Sequence, residues 1–180
     1  MGEGCGNKKC SYLLPCMETK LMQKLITTFI FCCFIPLLAA KADPDTTKPL
    51  DLKFTSVDGK SVDLSKMRGK VVLVDFWATW CPPCRGEVPN VVAAYKKYHD
   101  KGFEIVGISL DQDKAALLAF TKDHEMTWPQ YFDGKGWDNT ISSGFGVSSI
   151  PAMWLVGKDG KLITTEARDN LAGNVESALK

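Results

Sequence analysis

The sequence has little charge excess, little histidine and no apolar run of membrane-spanning length. Its 22 basic and 21 acidic side chains leave a net charge of +1, whereas a dedicated nucleic-acid binder carries a basic excess. No block of like charges suggests an anion-binding face. Only two histidines occur, His99 and His124, with 24 residues between them. Structural zinc wants four closely spaced ligands, so these two read as surface residues of helices. The longest apolar run, Leu25 to Ala40, has 16 residues, short of the roughly 18 expected of a spanning helix. There are no internal repeats. A composition 45% hydrophobic and 24% charged excludes a disordered tail, a collagen-like chain and a small disulfide scaffold.

The apolar run belongs to a segment reading MQKLITTFIFCCFIPLLAAKA over residues 22–42. Lys24 supplies a positive start, and Ala40-Lys41-Ala42 has the small-x-small form of a signal-peptidase site. A cleaved secretory signal is expected, with an uncleaved N-terminal anchor as the alternative. Cys32 and Cys33 lie inside the run and lack the small residues that precede a lipidated cysteine. Residues 1–21 are too long and cysteine-rich for a signal's first region, and Met17 and Met22 are plausible starts. Gly2 is followed at position 6 by Gly, not the Ser or Thr of a myristoylation site. Residues 1–42 are thus assigned to an extension plus signal, 43–49 to a linker and 50–180 to one domain. Removing residues 1–42, which hold five lysines and two acids, takes the net charge from +1 to −2. It also removes five of the seven cysteines and leaves Cys81 and Cys84. A domain of this size buries a core without staples, and a bridge closing so small a loop adds little stability. The pair is therefore read as functional.

Hydrophobic periodicity outlines the domain. Leu52 to Leu64 alternates around Asp58-Gly59, a hairpin signal. Val71 to Trp77 is nearly continuously apolar, as in a central strand covered on both faces. Val88, Val91, Val92, Tyr95 and Tyr98 predict a helix from Pro83 to about Tyr98. Phe103 to Leu110 reads as a strand and Asp113 to His124 as a helix. Trp128 to Gly146 reads as an irregular, glycine-rich stretch with room for a short helix. Ala152 to Thr164 reads as a second hairpin around Asp159-Gly160, and Leu171, Val175 and Leu179 mark a last helix. This order fits an α/β fold, a mixed sheet with helices on both faces.

The chemistry concentrates in Trp80-Cys81-Pro82-Pro83-Cys84. The pair follows a buried strand and opens a helix, where unpaired N–H groups and the macrodipole favour an anion. That lowers a thiol pKa. One cysteine attacks a disulfide and the other resolves the mixed disulfide. Attack is assigned to Cys81, nearer the exposed end, and resolution to Cys84, a turn deeper. Pro82 and Pro83 suit helix entry.

The run GKVVLVDFWATWCPPCRGEVP, Gly69 to Pro89, closely resembles the TlpA/ResA-like branch of the thioredoxin superfamily, and the resemblance extends over essentially residues 50–180. It implies a thioredoxin-like fold with an N-terminal β-hairpin and an inserted helix and strand at about residues 112–136. It implies an exported thiol–disulfide oxidoreductase, periplasmic or membrane-anchored facing the periplasm, that reduces disulfides in exported proteins, cytochrome c maturation being one such duty. It implies electrons from a membrane reductant of the DsbD or CcdA type, no cofactor and a monomer. Ser149-Ile150-Pro151-Ala152 matches the family's cis-proline loop. Pro151 and Ile150, with Trp80, Pro82 and Pro83, are then expected to dock the substrate, and the cis-proline to keep metal from the thiols. Without the resemblance Pro151 reads as an ordinary loop proline. Asp75 matches the buried acid of thioredoxins. Glu87, three residues after Cys84, matches an acid placed close to the cysteines, although a glutamate in a first helical turn is stabilising anyway. Which of the two accepts the proton is left open. Pro89 matches a helix kink, and Arg85 reads as a solvated charge. Trp77 and Trp80 are expected beneath and beside the disulfide. Trp128, Trp137 and Phe145 are candidates for either a substrate groove or the core.

Other functions compete. The same fold can run as an oxidant or isomerase, since direction depends on the reduction potential. A peroxiredoxin-like peroxidase lacks its Pro-xxx-Thr-xx-Cys motif here, Val74 and Ala78 standing where Pro and Thr belong. A copper(I) carrier would use the thiolates with Met153 nearby, but related chaperones use CxxxC with a positioned His. Tryparedoxin, a cytoplasmic relative, also carries WCPPCR, and the signal-like N-terminus argues against that assignment.

Overall fold

A computed structural model describes residues 45–180. The signal segment, the start-site candidates Met17 and Met22 and the cleavage site at Ala40-Lys41-Ala42 lie outside the described residues. β1 (Lys53–Thr55) and β2 (Ser61–Asp63) pair antiparallel. Gly59 turns between them at a φ of 83°, in the left-handed region that favours glycine. The main sheet has the order β5-β4-β3-β6-β7. It comprises β3 (Val71–Trp77), β4 (Phe103–Ser109), β5 (Gln130–Tyr131), β6 (Ala152–Val156) and β7 (Leu162–Thr164). β3, β4 and β5 run parallel, whereas β6 and β7 are antiparallel to their neighbours. The sheet is therefore mixed, flanked by α1 (Pro82–Tyr98), α2 (Lys114–Asp123), α3 (Thr140–Gly144) and α4 (Leu171–Leu179). This is a thioredoxin-like α/β fold.

Every residue of β3 is buried, as its apolar run requires of a strand covered on both faces. Phe76 packs edge-on against Trp154 of β6 at 5.2 Å between ring centres. Trp77 packs against Phe120 of α2 at 5.5 Å. Phe76 and Trp77, both fully buried, each contribute roughly 1.5–3 kcal/mol. α1 buries Cys84, Val88, Val91, Ala94 and Tyr98 on one face, and the helix runs through Pro89. The missing proline N–H leaves the Arg85 carbonyl without its usual intrahelical donor. Helix α1 starts at Pro82, one residue earlier than its apolar spacing predicts, because Cys81 rather than Pro82 acts as the cap. The stretch after α2, read from sequence as irregular, contains β5 and α3 as well as a 3-10 turn at Gly136–Asp138. These elements are too short for periodicity to register. The helix and strand expected in the insertion at 112–136 are α2 and β5. Among the described residues no helix is long and apolar enough to cross a membrane.

β4 and β5 meet at Gly107, which pairs with Gln130. A Cβ on Gly107 would lie 2.0 Å from Gln130 Oε1. That oxygen accepts a hydrogen bond from Trp77 Nε1 at 3.0 Å, and Gln130 is 4% exposed, so it cannot swing aside without breaking the bond. Gly107→Ala should therefore destabilise the fold by about 1–3 kcal/mol through overpacking and the lost bond. The check is chemical denaturation: the midpoint falls while the slope holds. An unshifted midpoint would show that Gln130 repacks freely.

Candidate functional site

The site is assembled where three loops leave the sheet. β3 ends at Trp77, and Ala78 to Trp80 carry the chain into α1. This short turn is held by Asp111, just beyond β4. Its carboxylate accepts from the Thr79 N–H at 3.1 and 3.2 Å, from Thr79 Oγ1 at 2.6 Å and from Ser109 Oγ at 2.8 Å. Leu110 donates its N–H to the Trp77 carbonyl at 2.8 Å and accepts from Trp80 Nε1 at 3.3 Å. Asp111 is 2% exposed. A buried carboxylate with this many donors holds its loop rigidly.

Cys81 caps α1. Its sulfur accepts the Cys84 N–H at 3.2 Å, so it lies where the first-turn donors of the helix converge. Cys81 and Cys84 form a disulfide with an S–S distance of 2.12 Å and a Cα–Cα distance of 5.3 Å. Cys81 was expected to be the exposed partner. Instead both cysteines are 3% exposed, and the loop ahead of β6 lies against Cys81. Pro82 and Pro83 face solvent. The Ile150–Pro151 peptide bond is cis, and the Ile150 carbonyl oxygen lies 3.9 Å from Cys81 Sγ. The proline loop thus sits directly beside the first cysteine. A cleft of about 270 Å³ continues from Pro151, bordered by Phe145, Val147, Ser149, Glu166 and Arg168.

Asp75 lies below the bridge, in the middle of β3, and is 4% exposed. A solvent-facing strand-end acid is thereby excluded. Asp75, Cys84, Val88, Met126, Pro151 and Met153 line one narrow cavity, and Asp75 Oδ1 has no hydrogen-bond partner. Burial, with the Glu87 carboxylate adding to it, pushes Asp75 up to about 7. Glu87 is different. Its Oε2 accepts from Asn90 Nδ2 at 3.0 Å and its Oε1 from Arg168 Nε at 3.1 Å. These partners, Asn90 foremost, hold it below the usual glutamate value against a smaller opposing effect of burial.

The candidate tryptophans separate. Trp77 is buried beneath the site and Trp128 is 2% exposed in the core. Trp80 and Trp137 are 50% and 48% exposed and lie 6.2 Å apart as a tilted pair. Phe145 packs on Trp154 at 5.7 Å while bordering the cleft. Met153 is buried on β6, opposite Asp75. His99 and His124 are exposed. Among the described residues no group of three His, Cys, Asp or Glu side chains is placed to hold a metal. Sequence reasoning missed Asp111, Asn90 and Arg168. The Ser109-x-Asp111 spacing at a strand end hinted at a polar turn. Nothing in the sequence pairs Arg168 with a residue 81 positions earlier.

Asp75 makes stability depend on pH. Its proton affinity is higher folded than unfolded, so between the ordinary value of 3.8 and about 7 the folded state binds more protons. Stability therefore falls as pH rises through that window. Asp75→Asn should abolish this loss, which is on the order of 4 kcal/mol for a shift of that size. Denaturation midpoints of the disulfide forms at pH values on either side of the window check it. Parallel curves for parent and variant would refute the assignment.

The comparisons agree with this geometry. The Redoxin family model matches residues 39–180. The chain is 34% identical over 126 residues to the thiol-disulfide oxidoreductase ResA of Bacillus thuringiensis subsp. konkukian, covering 70% of this chain and 71% of that one. It is 33% identical over 106 residues to ResA of Bacillus subtilis, covering 59% and 58% respectively. Among solved structures, the thioredoxin domain of a Bacteroides vulgatus thiol-disulfide oxidoreductase superposes with a TM-score of 0.65 at 30% identity, covering 73% of this chain and 95% of that one. A thiol:disulfide interchange protein from Bacteroides sp. gives a TM-score of 0.62 at 30% identity, covering 73% and 87%. With a Cys81–Cys84 bridge at a helix start and these relatives, the chain belongs to the redoxin family and is a thiol–disulfide oxidoreductase.

Proposed function

We propose that the protein is an exported reductase of disulfides in other exported proteins, with the paired cysteines of apocytochromes c among its substrates. The observation that carries this reading is the Cys81–Cys84 pair at the start of α1, set between a cis-proline loop and a buried acid. The segment at residues 22–42 supports export to the periplasmic side, and a membrane thiol reductant of the DsbD or CcdA type supplies electrons there. The protein acts as a monomer.

In the proposed cycle the partner docks as an extended segment along Ile150 and Pro151, against Trp80, Pro82 and Pro83. The Cys81 thiolate attacks one sulfur of the partner disulfide. A Cys81–partner disulfide forms and the partner's second sulfur leaves as a thiolate. Asp75, which shares a cavity with Cys84 and has a free oxygen, takes the Cys84 proton. The Cys84 sulfur then attacks Cys81 Sγ. The Cys81–Cys84 bond forms, the Cys81–partner bond breaks and the partner leaves with two electrons gained. Glu87, with both oxygens engaged, influences this proton by its charge rather than by accepting it.

Cys81→Ser should abolish turnover of a protein disulfide, and Cys84→Ser should accumulate mixed disulfides visible on non-reducing gels. Full activity in Cys81→Ser would overturn the assignment of the attacking sulfur. The direction of flow is read from the reduction potential. A value near roughly −270 mV marks a reductant and one near roughly −120 mV an oxidant. Export is read from the mature N-terminus: cleavage after Ala42 supports it, and an intact N-terminus on a cytosolic protein refutes it.

A further inference from the structure

Two carboxylates stand near the cysteines, and the fold treats them differently. Asp75 is sealed beside Cys84 with one oxygen unpartnered. Glu87 is only partly covered, its side chain 20% exposed, and both of its oxygens are engaged. Asn90 lies on the same helical turn and would be present in any version of α1. Arg168 arrives from elsewhere, on the 3-10 helix Ala167–Asn170 that leads into α4. Its Nε meets Glu87 Oε1 at 3.1 Å, and the same side chain borders the cleft beside Pro151.

We propose that Arg168 is a positioning residue for the exchange reaction: it pins Glu87 as a permanent carboxylate and so leaves Asp75 as the group that carries the proton. This rests on the reading of Asp75 as the acceptor for Cys84. Two neighbouring carboxyls that are otherwise alike tend to share a proton between them. Burial of Asp75 and the Asn90 bond to Glu87 already set the two apart, and a guanidinium on Glu87 widens the gap, because protonating the paired carboxylate forfeits a charge-assisted bond. The proton then resides on the unpaired acid, which is the one facing Cys84. Arg168 also offsets part of the repulsion that the Glu87 charge exerts on Asp75, so that Asp75 can still ionise near neutral pH and receive the thiol proton.

The groups around the pair are few. From α1 come Cys84, Glu87 and Asn90, and from the 3-10 helix comes Arg168, flanked in the cleft by Glu166 and Asp169. The strands beside Asp75 offer Gly107 and Met153, and Met126 closes the remaining side. α4, which also lies against β3, contributes one acid, Glu176, and that is engaged by the Tyr98 hydroxyl at 3.0 Å. Arg168 is the only cation that contacts either carboxylate among the described residues.

The test is the titration of the Asp75 and Glu87 side-chain carboxyl carbons by NMR in the disulfide form of the full chain. Arg168→Gln should raise the Glu87 midpoint by about one pH unit, the scale of losing a close opposite charge. It should also raise the Asp75 midpoint, because Glu87 then stands uncompensated. Arg168→Lys should restore most of both. In a second measurement, Cys81 is loaded with 5-thio-2-nitrobenzoate, and release of the chromophore by Cys84 is followed against pH. The midpoint of release should rise with that of Asp75 in Arg168→Gln. A purely structural role for Arg168 would change unfolding midpoints but leave these titrations in place. Unmoved titrations in a folded Arg168→Gln protein overturn the proposal. Should the titrations move while the parent fails to reduce any protein disulfide, the reductase reading falls and the positioning role stands.

Discussion

The pairing of β3 with β4 on one side and β6 on the other places every group in the site. β3 is the central strand, and its end at Trp77 delivers Cys81 four residues later. Because β4 runs parallel to it, with Trp77 opposite Ser109, both chains leave the sheet at the same edge. Asp111 therefore meets Thr79. Because β6 runs antiparallel, with Ala152 opposite Phe76, its first residues lie at that edge too, and Pro151 arrives beside Cys81. The outer strands have no such role. Shifting either register by one residue would turn the buried side chains of β3 to the wrong faces and separate the proline from the cysteines.

The same strand carries the least favourable feature of the fold. A carboxyl without a hydrogen-bond partner on a fully buried strand is destabilising, and several kcal/mol are at stake in whether it is ionised. An apolar residue at position 75 would pack better. Asp75 lines a cavity with Cys84 and has a raised proton affinity, and perturbed acids of this kind concentrate at functional sites. Asp111 shows the contrast. It is equally buried, but its oxygens accept from Thr79 and Ser109, so it stiffens a loop where Asp75 is left with an unpartnered oxygen.

Exposure supports the same division between structure and reaction. Trp80 and Trp137 are large apolar rings left half in solvent, next to a bridge that is itself covered. The Arg168–Glu87 pair is similarly hard to explain by stability, since a partly exposed ion pair contributes only about 0–1 kcal/mol. One member of the pair, Arg168, borders the cleft beside Pro151, and the other, Glu87, acts on the buried Asp75 through its charge.

Much of this was legible in the sequence. The uninterrupted apolar run predicted β3, the three- and four-residue spacing from Val88 to Tyr98 predicted α1, and Asp-Gly turns marked both hairpins, because these signals are local. The Cys81-Pro82-Pro83-Cys84 run declared its chemistry for the same reason: strand end, prolines and helix start are all short-range. The short elements β5 and α3 could not be bounded from periodicity, since five residues or fewer carry no period; a strand near β5 was expected only from the resemblance. Which tryptophans are core, how deeply Cys81 is covered, and which carboxylate keeps its charge were open until distant segments were brought together. Asp75 and Glu87 are both acids near a cysteine in sequence. What separates them is burial around Asp75 and, at Glu87, hydrogen bonds from Asn90 and from an arginine at the far end of the chain. Residue type and local spacing therefore determined the fold and the redox pair, while burial and long-range charge, which exist only after folding, decided which acid is sealed without a partner and which is paired.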